Sequence, residues 1–159
     1  MIYICIECLR LILIKRVSTV CTGNICRSPL AEAILRKALP ECEVTSAGVG
    51  ALVGYPAEDH AQAIASENGL DIVTHRARQV TAAWAAEQDL ILTMDAGHNE
   101  WFFRHAPQIR GRIFLLGHWQ NTTEVPDPYG HDRAAFEKAF AQISAFSADW
   151  ISRIRVMNG

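Results

Sequence analysis

Short apolar runs, each followed by a stretch of helical periodicity, constrain the fold of this chain more than any other feature. Val17–Val20, Glu43–Ser46, Asp89–Met94 (DLILTM) and Arg112–Leu116 (RIFLL) read as four strands. Short runs of this kind suit strands buried on both faces. Helical stretches lie between them at Pro29–Leu39, Asp59–Asn68, Thr81–Glu87 and Asp95–His105. The last segment, His131–Arg155, places Phe136, Phe140, Ile143, Phe146, Trp150 and Ile154 at steps of three and four, one apolar face of a long helix. Alternation of this kind predicts a single α/β domain: a doubly wound, four-stranded parallel sheet with helices on both faces. The length, 159 residues, suits one domain with an ordinary core. We expect residues 17–157 to form it and residues 1–16 to be an apolar extension.

Sheets of this class bind ligands at the carboxyl ends of their strands. The first strand leads into Cys21-Thr22-Gly23-Asn24-Ile25-Cys26-Arg27-Ser28-Pro29. A tight loop between strand and helix turns successive backbone N–H groups inward as a nest for phosphate oxygens. Gly23 and Asn24 tolerate the left-handed backbone such a loop demands. Ser28 is a residue type that caps helices, and Pro29 suits a first turn. The helix N-terminus and Arg27 bring positive potential, and the guanidinium can grip two phosphate oxygens. The same surroundings favour a thiolate over a thiol, so Cys21 is expected to be ionised and able to attack phosphorus without a metal or other cofactor. This predicts a phosphatase.

Composition narrows the rest. A formal charge of −2 offers no attraction for nucleic acid, and no Lys/Arg-rich run supplies a local one. Five cysteines make a poor disulfide framework and fit a reducing cytoplasm. Met1–Ile14 is largely apolar but is broken by Glu7 and Arg10, and is shorter than the roughly 20 residues of a spanning helix. Cys5 and Cys8 form a C-x-x-C with no second ligand pair. Cys26 follows Cys21 closely in one tight loop. It is placed either to trap an oxidised Cys21 as a disulfide, if the α-carbons lie roughly 4.4–6.8 Å apart, or to pack as a small apolar residue.

CTGNICRSPLAEA resembles the signature of the low-molecular-weight protein tyrosine phosphatases. SAGVGALVG at Ser46–Gly54, HRARQV at His75–Val80, LILTMD at Leu90–Asp95 and VPDPYG at Val125–Gly130 extend the resemblance. With GHW at Gly117–Trp119 it is most similar to the bacterial branch associated with capsule and exopolysaccharide production. The resemblance implies that Asp127 is the general acid, protonating the leaving phenolate and then activating water. It implies phosphate binding by Thr22, Gly23, Asn24, Ile25, Cys26 and Ser28, with Ser28 bonded to the Cys21 sulfur. Ser46 and His75 would hold Asn24, and Leu52 and Tyr129 would line the substrate pocket. His60, His98, His105, His118 and His131 are given no role.

Two departures touch the substrate side: Gly130 stands where many members carry a second tyrosine, and Leu52 where eukaryotic members set an aromatic wall. Both agree with the bacterial branch. Its partner is usually a membrane tyrosine autokinase with a tyrosine-rich cytoplasmic tail, so the chain would be cytoplasmic and meet the membrane only through that partner. Arsenate reductases share the loop but pass oxidation along downstream cysteines, and only Cys42 follows here. Protein arginine phosphatases usually carry threonine at the position of Ile25. A non-catalytic phosphate-binding module would need neither Cys21 nor Asp127.

Overall fold

The first apolar run forms β1, Arg16–Cys21, in a computed structural model that describes residues 13–159. The reading of Cys5 and Cys8 lies outside the described residues. Strands β2 (Glu43–Gly48), β3 (Leu90–Thr93) and β4 (Ile113–Leu115) pair parallel with it in the order β2-β1-β3-β4. This is the four-stranded parallel sheet that the alternation implied. Side chains alternate across its faces: Val17 and Cys21 enter one apolar cluster and Val20 the other.

Helices cover both faces. Leu30 and Leu35 of α1 (Arg27–Ala38), Ile64 of α2 (Asp59–Glu67) and Phe136, Ile143 and Ile154 of α5 (Arg133–Asn158) pack into the first cluster. Ala85 of α3 (Ala82–Ala86) and Phe102 of α4 (Ala96–His105) pack into the second. Phe102 and Phe136 are fully buried, and burying a side chain of that size contributes about 2–3 kcal/mol. A 3-10 helix over Pro107–Arg112 leads into β4, where the sequence suggested only connecting chain before a strand starting at Arg112.

Helix α5 starts two residues later than its periodicity suggested, because Asp132 accepts the Ala135 N–H as its cap. It runs on to Asn158, whose carboxamide pairs with the backbone of Ile14: Ile14 N–H donates to Oδ1 at 2.9 Å and Nδ2 donates to Ile14 O at 2.8 Å. Ile14 is buried and Arg16 opens β1, so these two residues sit within the folded unit. Among the described residues no helix is long and apolar enough to cross a membrane. With β2 on one side of β1 and β3 on the other, the carboxyl end of β1 is the point where the strand order turns. A crevice opens there.

Candidate active site

The crevice is a cavity of about 190 Å³. Cys21 and Arg27 lie deep in it, each 2% exposed, while Leu52 and Tyr129 stand at its rim. Between Cys21 and α1 the loop carries its carbonyls outward. Val49 N–H donates to Cys21 O, Gly50 N–H to Thr22 O, Leu52 N–H to Gly23 O and Glu58 N–H to Ile25 O, all at 2.8–3.0 Å. His75 Nε2 donates to Asn24 O at 2.7 Å. Among the described residues, no acceptor takes a backbone N–H of Thr22 to Cys26. Carbonyls that are all engaged and N–H groups that are all free make a nest for an anion.

The start of α1 adds to it. Its N-cap, Cys26, has φ −116° and ψ −71° and no side-chain cap. The other four α-helices among the described residues start from extended residues, Glu58, Thr81, Asp95 and Asp132, whose side chains accept a helix N–H. Ser28 is therefore not the cap that its residue type suggested, because α1 begins one residue before it. Its hydroxyl accepts from Asn24 Nδ2 at 2.8 Å, which leaves its own proton for Cys21 Sγ, 2.9 Å away. Pro29 falls in the first turn, where its missing N–H costs nothing.

Asn24 is the loop residue with a left-handed backbone, φ 58°, whereas Gly23 is not. A Cβ on Gly23 would meet Ile25 Cγ1 at 3.6 Å and Leu52 Cγ at 4.0 Å, so glycine there widens the mouth instead. A left-handed asparagine costs roughly 1–2 kcal/mol, which its side-chain bonds offset. Nδ2 donates to Ser46 Oγ at 2.9 Å as well as to Ser28, and Oδ1 accepts Arg78 N–H at 2.9 Å. Burial foremost, with Arg78, Arg36 and Arg76 adding, pulls the His75 ring toward its neutral form. Ser46 and His75 thus converge on Asn24.

Four residues that the sequence reading missed complete the surroundings. Glu32, buried on α1, accepts from Ser46 Oγ and from Arg36. Gly48 ends β2 so close to the loop that a Cβ would sit 2.3 Å from Thr22 O. Asp95, two residues beyond β3 and the N-cap of α4, accepts from Arg27 Nη1 at 3.2 Å. His98 lies 3.0 Å from Thr22 Oγ1.

Arg27 is held from three sides. Nη1 also donates to Val125 O at 2.8 Å, and Nη2 lies 3.4 Å from Asp127 Oδ2. Nε is buried and has no partner among the described residues. A buried N–H without an acceptor costs about 1–3 kcal/mol, and an anion in the nest would supply one. Asp127 is half-exposed, and its Oδ1 accepts Tyr129 N–H at 3.1 Å. Gly130 follows with φ 78°, a backbone that a second tyrosine would adopt only under strain. Burial, then the nearby Cys21, Asp127 and Glu58, push the Cys26 thiol up and keep it protonated.

Residues 16–157 match the family model described as low molecular weight phosphotyrosine protein phosphatase. The low molecular weight protein-tyrosine-phosphatase Wzb of Salmonella typhimurium is 40% identical over 145 residues, covering 91% of this chain and 97% of that relative. The Vibrio vulnificus Wzb structure, solved with benzylphosphonate, aligns with a TM-score of 0.85 at 38% identity, covering 88% of this chain and 99% of that one. The YwlE arginine phosphatase of Geobacillus stearothermophilus aligns at 0.83 with 30% identity, covering 89% of this chain and 94% of that one. With the family model spanning nearly the whole domain and its nest, thiol and arginine gathered in one crevice, the chain belongs to the low molecular weight protein-tyrosine phosphatases.

Proposed function

We propose that this chain hydrolyses phosphotyrosine in proteins by two successive transfers at Cys21. The observation that carries the reading is the loop whose carbonyls all point outward and whose N–H groups from Thr22 to Cys26 are free, wrapped around the Cys21 sulfur. Phosphate oxygens take these N–H groups, the open first turn of α1, and Arg27 through Nε and Nη2. The Cys21 thiolate forms a bond to phosphorus as the bond to the phenolic oxygen breaks, and Asp127 gives its proton to that oxygen. Asp127, now a carboxylate, takes a proton from water; the water oxygen bonds to phosphorus and the S–P bond breaks. Ser28 donates a hydrogen bond from its hydroxyl to the departing thiolate. Leu52 and Tyr129, both exposed at the rim, flank the phenyl ring. The benzylphosphonate bound by the Vibrio relative has the same two parts, an aromatic ring and a phosphorus oxyanion.

Ile25 lines the cavity, and its branched bulk is expected to crowd a guanidinium-linked phosphate more than a phenyl-linked one. The likeness to an arginine phosphatase makes phosphoarginine the competing substrate. Phosphotyrosine, phosphoarginine and phosphoserine peptides turned over side by side in chelator decide between them, with phosphotyrosine expected to lead. Preference for phosphoarginine would overturn the assignment. D127A should slow phosphotyrosine cleavage by about a hundredfold or more and spare an ester with a better leaving group. Equal losses on both would remove Asp127 from the acid role.

The physiological substrate, on the branch resemblance, is the tyrosine-rich cytoplasmic tail of a membrane autokinase in polysaccharide production. On that reading the chain works in the cytoplasm and meets the membrane only through its partner.

A further inference from the structure

His98 is 2% exposed and takes no part in the two transfers above. Its ring bridges the two sides of the nest. Nδ1 accepts the backbone N–H of Asp95 at 3.2 Å, and Nε2 lies 3.0 Å from Thr22 Oγ1. A nitrogen that accepts an N–H carries a lone pair, so the proton of a neutral ring sits on Nε2, which donates to the Thr22 hydroxyl. Burial foremost, with Arg27 adding, favours that neutral ring, while Asp95, Asp127 and Glu124 oppose it. Thr22 is the residue after the nucleophile. Asp95 holds Arg27 through Oδ2 at 3.2 Å and accepts the His98 backbone N–H through Oδ1 at 3.2 Å. One imidazole therefore touches the first residue of the loop and the partner of the arginine.

We propose that His98 is a positioning residue for phosphate binding: by donating to Thr22 and accepting from Asp95, it locks the Thr22 end of the loop against Arg27. The free N–H groups and the guanidinium then meet the phosphate preset rather than being drawn together by it. Preorganisation of this kind lowers the cost of binding. The inference rests on reading residues 21–28 as the phosphate nest.

Two near-isosteric substitutions separate this role from simple helix capping. The side-chain amide of asparagine overlays Nδ1 and that of glutamine overlays Nε2. H98N thus keeps an acceptor for the Asp95 N–H and loses the donor to Thr22, whereas H98Q does the reverse. H98N should lower kcat/KM for a phosphotyrosine peptide about tenfold, the effect of one well-placed hydrogen bond. It should raise the inhibition constant of inorganic phosphate in parallel and keep a near wild-type thermal midpoint. H98Q should recover most of that activity while lowering the midpoint. T22V should lose as much as H98N, and the double variant no more than either, since both remove one bond. Activity that tracks the thermal midpoint, with H98Q worse than H98N, would overturn the proposal; so would additive losses in the double variant. C21S, measured alongside, separates the two levels. Failure of C21S to bind inorganic phosphate would undo the nest reading itself, whereas a C21S that still binds phosphate beside a fully active H98N sinks only the role of His98.

Discussion

Helix α1 and helix α4 both begin beside Arg27, and they begin in opposite ways. At α4 the Asp95 carboxylate accepts the His98 N–H, and the His98 ring accepts the Asp95 N–H in return. At α1 the N-cap backbone at Cys26 is not extended, so its side chain cannot turn back onto the helix. One helix start closes on itself and becomes rigid scaffold; the other leaves its donors for a ligand. The difference lies in one residue's ψ, not in how polar the nearby sequence is, since Thr22, Asn24 and Ser28 all stand beside the uncapped start.

The sharpest way to break the contrast is to keep the open helix start and remove what it serves. C21S should retain binding of inorganic phosphate and lose turnover by at least about a thousandfold, as loss of a nucleophile does elsewhere; equilibrium binding and single-turnover kinetics check both. Next come the closed starts. D95A and D132A each remove an N-cap and should each cost about 1 kcal/mol of stability. Only D95A should also cut kcat/KM, by about tenfold or more, because Asp95 also fixes Arg27. Equal kinetics in the two variants would make Asp95 a cap alone.

Acid tests the α4 start from another side. Burial foremost pulls the His98 ring down to about 4, and His75 is lowered too. As pH falls from about 6.5 toward 4, the unfolded chain takes up protons that the native chain refuses, so stability should be full above that window and decline through it. H98Q should flatten part of the slope in urea titrations; an unchanged slope would mean that His98 does not supply it. The smallest effect is expected at Cys26. C26S places a good capping residue at the start of α1, yet should raise the thermal midpoint not at all, since the backbone there cannot be capped. The same variant, treated with peroxide and then reductant, should recover less activity than wild type. Equal recovery would make Cys26 a packing residue.

What the sequence made legible was contiguous. The nest, the nucleophile and the arginine lie within one stretch of chain, and residue chemistry at each position pointed to phosphate. Asn24 with Ser46 and His75 came through family resemblance, and the structure brings them together. Asp95 and His98 were not legible, because they act on residues 68 and 76 positions away. Their meaning depends on β3 lying beside β1, which strand patterns alone do not order. Glu32 lies inside a quoted motif, but its burial follows from β2 packing on α1, which no spacing reveals. Ser28 was misread as a cap by a small shift in the helix start, whereas its bond to the Cys21 sulfur matches the resemblance. Gly48 stood inside a quoted motif, but close approach of another chain segment leaves no trace in spacing.

Arg27 gives the site a property that matters for reading mutants. Through Nη1 it grips the carbonyl of Val125, two residues before Asp127 and 98 positions away in the chain. The guanidinium is thus also the hinge pin of the segment that carries Asp127, the proposed acid. A variant at Arg27 should loosen the anion and let Asp127 drift at once, so its kinetic deficit would not be parsed as affinity alone. Substrates that need no proton from Asp127 isolate the first component, and the remainder measures how firmly the pin holds the acid in place.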